Sequence, residues 1–181
     1  MLADTLIAIC MLFQFSQRYT AALKAYGEMY GDRRSGNDFL DISQETIWRQ
    51  LLSELSKLYD AEKTGGNVNC SFGRIKTLYI DINGQLYAGK NDSIINRIDE
   101  LQYRYENLLT KQLRNKKLAH YDFEKVCEQV SPTLLFTEVE QFVKDTGEVL
   151  EKLCEQNYIS GLLLEYDELV KKYKESLTSL Q

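Results

Sequence analysis

At 181 residues the chain is long enough for one domain to bury a core without disulfides or metals. A hydrophobic fraction of 44% and a charged fraction of 27% are ordinary for a soluble globular protein. The net charge of -5 argues against a broad, non-specific nucleic-acid coat, which needs many phosphates neutralised, but leaves room for a local basic site.

The start, Met1-Leu2-Ala3-Asp4-Thr5, lacks the basic region of a signal peptide. The apolar run from Leu6 to Phe15 is broken by Gln14 and is too short to span a bilayer. These features point to a cytoplasmic protein without a membrane partner. Cys10, Cys70, Cys127 and Cys154 are scattered, form no C-x-x-C pair and share the chain with a single histidine. That pattern predicts free, packed thiols rather than a zinc site, so neither a metal nor a cofactor is expected.

Helical periodicity dominates. Leu6, Ile9, Phe13, Leu23 and Tyr30 predict a long first helix ending near Gly31-Asp32. A polar connection over 33–38 leads to a second helix, for which Asp41 and Ser43 offer caps and Ile47, Leu51, Leu55 and Leu58 recur at intervals of three and four. Thr64-Gly65-Gly66-Asn67 is a breaker. After it, Ile75, Leu78 and Tyr79 suit a short helix, while Asn83-Gly84, flanked by Tyr79, Asp81, Gln85 and Tyr87, suits a small hairpin equally well.

From Asp92 or Ser93 a long helix is expected through Ile94, Ile98, Leu101, Tyr105 and Leu108 to Leu113, delivering Arg114 near its end. Ser131-Pro132 is a start signal for a helix carrying Leu135, Val139, Phe142, Val149 and Leu153. Asn157 and Gly161 mark a break before a last helix with Leu162, Tyr166, Leu169, Tyr173 and Leu177. No long-period repeat, low-complexity tract or internal boundary divides residues 1–181. The expectation is a single all-α domain, a bundle of about five helices, with a short irregular or hairpin insertion near residues 64–92.

The chemistry concentrates between the fourth and fifth of these segments. Lys111, Arg114, Lys116 and Lys117 occur with no acidic residue between Glu106 and Asp122, and His120, the only histidine, closes the run. Histidine is the side chain whose ordinary pKa lies near neutrality, so it can carry a proton in either direction. Arginine stays charged and presents a flat fork of donors that matches phosphate oxygens. A metal-free cleavage of RNA needs little more than these two groups facing one phosphate. On a straight helix, residues six apart differ by roughly 240° of rotation and about 9 Å of rise, so an early helix end before His120 is expected.

Arg114-Asn115-x-x-x-x-His120 resembles the R-x(4–6)-H signature of the HEPN superfamily (higher eukaryotes and prokaryotes nucleotide-binding domains). Leu55-Ser56-Lys57-Leu58-Tyr59-Asp60, then Thr64 to Ser71, together with Leu118-Ala119-His120-Tyr121-Asp122, resemble the abortive-infection, AbiU-type branch, over roughly residues 40 to 160. The resemblance implies a HEPN-like helical bundle that dimerises with the two motifs facing each other across a cleft. Competent members are metal-independent endoribonucleases, often toxins or antiphage effectors, so RNA is the implied substrate and an antitoxin protein a candidate partner.

In that frame Arg114, Asn115 and His120 are the catalytic candidates, and Lys111, Lys116 and Lys117 would guide the RNA backbone. Asp122 would hold the imidazole tautomer or cap the next turn, and Asn115 would contact phosphate, orient His120 or cap a helix end. Some HEPN toxins carry a tyrosine two positions after the histidine that a partner nucleotidyltransferase modifies; here Tyr121 is one position after and Asp122 stands at the second. Because each chain owns one histidine, a twofold dimer would bring together the acid and the base that attack by a ribose 2′-OH requires. The competing expectation is a non-catalytic HEPN-like module that binds RNA, nucleotide or a protein partner.

Overall fold

No proline or glycine precedes Gly27, so nothing stops the apolar spacing at the start of the chain from running on as a helix. In a computed structural model, which describes residues 1–31, 35–83, 93–107 and 132–180, it does so for 29 residues as α1 (Leu2–Tyr30). Gly31 ends it at φ 63°, its N–H donating to the Gly27 carbonyl at 2.8 Å, as predicted for this boundary. Leu6, Ile9, Cys10 and Phe13 point inward along one face.

Next come α2 (Asp38–Leu58), the hairpin β1 (Lys63–Thr64) and β2 (Asn67–Val68), α3 (Phe72–Asn83), α4 (Ser93–Asn107), α5 (Pro132–Gln156) and α6 (Tyr166–Thr178). The described residues thus hold six helices rather than about five, and the all-α expectation holds. α1 packs against α2, α3, α5 and α6, while α4 packs on α5 and α3. No helix among the described residues is long and apolar enough to cross a membrane.

One expectation needs correction, and one open choice, helix or hairpin over Ile75 to Asp81, is resolved as helix. The second helix starts at Asp38, not after Asp41: the Asn37 side chain accepts from Phe39 N at 3.0 Å and Leu40 N at 3.4 Å, satisfying two orphan donors. Asp41 instead accepts from the Tyr26 hydroxyl and from Ser35 N and Oγ, tying the first turn of α2 to the end of α1. The hairpin lies at Gly65-Gly66, with Lys63 opposite Val68 and Thr64 opposite Asn67. Both glycines have positive φ, 57° and 88°, which the tight turn demands and side-chain-bearing residues resist. Tyr79 and Asp81, candidate strand residues, are helical in α3, and the remainder of the alternative hairpin, Gly84 to Tyr87, lies outside the described residues.

Glu62, at the foot of the hairpin, accepts from Arg74 at 2.8 Å and Thr77 Oγ1 at 2.9 Å, clamping β1 to α3. The core draws on Leu6, Ile9 and Phe13 of α1, Leu51, Leu55 and Leu58 of α2, Phe72, Ile75 and Leu78 of α3, Ile98 and Leu101 of α4, and Phe142, Leu150 and Leu153 of α5. A side chain at Gly147 would meet the Phe13 ring at 3.4 Å, so glycine there permits the close approach of α5 to α1. Cys10 and Cys154 are free and buried with their sulfurs 3.5 Å apart across this contact; burial pushes both thiols up. Cys70 is also free, and Cys127 lies outside the described residues.

The break after α5 is a hydrogen-bonded cap. Ile159 N donates to Cys154 O at 2.9 Å and Tyr158 N to Glu155 O at 3.2 Å, the two bonds that close a helix through a left-handed residue. That residue is Tyr158, at φ 57° and 99% exposed. A bulky L-residue costs about 1–2 kcal/mol in this conformation, more than the added chain entropy of glycine. Tyr158→Gly is therefore expected to raise unfolding stability by about 0.5–1 kcal/mol in a urea titration; a loss of stability would show that the tyrosine ring makes a contact in solution.

Candidate functional site

Lys111, Arg114, Asn115, Lys116, Lys117, His120, Tyr121 and Asp122 all lie outside the described residues, in the chain between Asn107 and Pro132. The expected helical stretch from Leu108 to Leu113 lies there too. The geometry on view is that of the two helices from which this segment departs and to which it returns. Pro132 opens α5, as its lack of an N–H and its fixed φ favour at a first helical position.

α4 and α5 are held side by side by aromatic rings and buried charge. The Tyr59 ring, just past α2, stacks on Phe72 and Tyr105, each with centroids 5.1 Å away, and lies 5.0 Å from Phe142. The Tyr59 hydroxyl is paired with Thr146 Oγ1 at 2.7 Å, and burial pushes its ionisation far above the ordinary phenol range. The Tyr105 hydroxyl, two residues before the end of α4, is buried without a hydrogen-bond partner among the described residues.

Arg104 of α4 forms an ion pair with Asp145 of α5, and its guanidinium lies 5.5 Å from the Phe142 ring centroid. Arg97, two turns earlier, reaches Asp145 at 3.5 Å. Burial acts to raise the Asp145 pKa, but hydrogen bonds from Arg104 and Gln141 and the charges of Arg104 and Arg97 outweigh it, leaving the carboxyl below its ordinary value. A depressed folded-state pKa adds stability that is present above about pH 4 and disappears as the pH falls through the folded value. Asp145→Asn, which leaves two guanidinium groups facing a neutral amide, is expected to cost about 2 kcal/mol at pH 7 and less near pH 3, read from urea midpoints at both pH values. An equal cost at both would show that packing, not charge, governs this position.

The Arg97–Arg104–Asp145 cluster escapes sequence reading. Arg97 and Arg104 are seven residues apart on one helix face, and Asp145 is one of several acids on α5, with Glu138, Glu140 and Glu148 nearby, so nothing local singles it out as their partner. Among the described residues no group of histidine, cysteine, aspartate or glutamate is arranged to hold a metal ion.

A model of the AbiU2 family of HEPN domains matches residues 3–177. The chain belongs to that family. No curated protein and no solved structure matches it. The AbiU2 match takes in α1 and nearly all of α6, so it extends well beyond the span of roughly 40 to 160 expected from the motif blocks. It agrees with the all-α architecture, in which the helical bundle is HEPN-like and the strands amount to one small hairpin.

Proposed function

We propose that this AbiU2 protein is a metal-independent endoribonuclease that acts as a homodimer, in the role of a toxin or antiphage effector. The observation that carries the reading is the Arg114-Asn115…His120 pattern inside a family match spanning 3–177. A chain with one histidine and a transesterification that needs two proton transfers are reconciled by symmetry. One His120 takes the proton of the ribose 2′-OH as it attacks phosphorus. The second gives a proton to the departing 5′ oxygen, leaving a 2′,3′-cyclic phosphate and a 5′-hydroxyl. The two Arg114 groups stabilise the charge that gathers on the phosphorane, the step where fixed donors contribute most.

Asn115 supports the histidine or the phosphate, and Tyr121 and Asp122 flank it. Lys111, Lys116 and Lys117 attract the RNA backbone without choosing sequence, so binding weakens steeply with salt. In this reading residues 1–181 act as one cytoplasmic domain, an antitoxin protein holds it in check, and no metal takes part in the chemistry.

The test is incubation of the parent, His120→Ala and Arg114→Ala with total RNA in EDTA. Cleavage by the parent alone, with cyclic-phosphate ends, supports the proposal. Cleavage that needs added metal, or that persists equally in both variants, overturns it. RNA retention on a filter by all three proteins without cleavage assigns the chain to the non-catalytic, binding class.

A further inference from the structure

The buried thiols of Cys10 and Cys154 take no part in the chemistry proposed above, yet the fold brings them together from positions 144 residues apart. Their sulfurs touch at 3.5 Å, where a disulfide would need roughly 2 Å. The helices behind them are close as well. Gly147, about two turns before Cys154 on the same face of α5, meets Phe13, which follows Cys10 by about one turn of α1. Only a small side-chain rotation separates this contact from a bond.

A strap of chain bridges the two cysteine turns. It begins where Ile159 N donates to Cys154 O at 2.9 Å, and its Ile159, Leu162 and Leu163 pack against the same core cluster as both cysteines. Gln14, about one turn past Cys10, ties it to α1 by donating to Leu162 O at 2.7 Å. Gln17 donates to Leu164 O at 3.0 Å and accepts from Leu164 N at 3.2 Å. Cys10 is fully enclosed and Cys154 is 6% exposed. Burial pushes both thiols up, Cys10 further through its contact with Cys154, so thiolate is scarce while the strap is seated.

We propose that Cys10 and Cys154 are an oxidant-responsive pair, closed to a disulfide by peroxide and reopened by a dithiol, with the strap over 157–165 controlling access. The thiolate of Cys154, the one nearer water, attacks a peroxide oxygen. The O–O bond breaks, Cys154 becomes a sulfenic acid, and the departing hydroxide takes the thiol proton to leave as water. The Cys10 thiolate then attacks the Cys154 sulfur, forming the S–S bond and expelling a second hydroxide, which takes the Cys10 proton. Two thiols and one hydrogen peroxide thus give one disulfide and two waters, with two electrons passing from sulfur to oxygen. Because the second sulfur is already in contact, closure outruns further oxidation to a sulfinic acid. The bond would tie α1 to α5 across most of the chain, where a cross-link constrains the unfolded state strongly.

The test treats the full chain, carrying Cys70→Ser and Cys127→Ser so that only this pair can react, with hydrogen peroxide and then with dithiothreitol. The expected result is a loss of two hydrogens in intact mass, a peptide linking Cys10 to Cys154 after digestion, and a thermal midpoint raised by about 5–10 °C. The dithiol should reverse all three. Cys154→Ala should abolish the linked peptide and the shift. Gln17→Ala, which frees the strap from α1, should speed closure by about threefold or more and give the same product. The parent chain, mapped for the same peptide, answers the question should the serines disturb folding. Thiols that stay unlinked, that end as separate sulfinic acids, or that link Cys70 instead overturn the pair. A closure rate indifferent to Gln17→Ala overturns the strap as its control. Every readout is made without RNA, so the outcome stands apart from the nuclease reading.

Discussion

Mixing parent chain with His120→Ala at equal amounts should leave about a quarter of the parent cleavage rate, not half, once subunits have exchanged. If each active centre needs one imidazole from each chain, only dimers of two parent chains work, and random pairing makes these about one in four. If each chain carried a complete centre, activity would simply follow the parent fraction. His120→Ala alone should lower the rate by about 10²–10⁴-fold, the usual worth of a positioned proton carrier. Arg114→Ala should cost a comparable factor through lost phosphorane stabilisation, yet remain mutually inactive with His120→Ala in mixed dimers if both groups are needed in both copies. A halved rate in the mixture would refute the shared centre while leaving ribonuclease activity itself in place. Either result is decisive because the assay compares proportions rather than absolute rates.

The largest expected loss of stability comes from Phe142→Ala, at about 3–5 kcal/mol by chemical denaturation at neutral pH. Phe142 is fully buried in α5, its ring 5.0 Å from that of Tyr59 and 6.5 Å from that of Tyr105, beneath the Arg104 guanidinium. Removing it opens a cavity among rings too rigid to collapse into it and uncovers the Arg104–Asp145 pair to water. Phe142→Leu, which keeps most of the volume, should cost about 1–2 kcal/mol. A loss under about 1 kcal/mol for the alanine variant would mean that the three rings do not form the seam between α4 and α5. This seam matters for function under the proposed reading, because α4 and α5 are the two ends from which the catalytic segment is strung.

What could be read in the sequence, and what could not, divides along range of interaction. The end of α1 at Gly31 and the start of α5 at Pro132 were legible because each depends on one residue's own backbone chemistry. The start of α2 was misplaced because Asn37, Asp41 and Ser43 are all competent caps. The choice was made by Tyr26 and Ser35, which engage Asp41 from outside the helix. Local pattern left Ile75 to Asp81 open between a short helix and a hairpin strand, and burial of Phe72, Ile75, Leu78 and Tyr79 along one side of α3 accompanies the helix. Asp145 and its two arginines, 41 residues or more apart in sequence, left no trace at all. For the site, residue chemistry could be read from Arg114, Asn115 and His120. Their mutual arrangement depends on the fold and, under the proposed reading, on a second copy, neither of which a local pattern encodes.

The manner in which α6 is attached has a consequence for how the molecule comes apart. It buries no side chain completely, and polar clasps supplement its packing on α1: Lys174 to Glu28, and the Tyr166 hydroxyl to Glu140 at 3.3 Å beneath the Lys144 ammonium. Such clasps weaken in brine, and their release uncovers only half-buried apolar side chains, Leu169, Val170, Tyr173 and Leu177, that rest on α1. The C-terminal rod can therefore detach and reseat as a unit while the remaining helices stay folded, making it the natural first step of any reversible loosening of this protein.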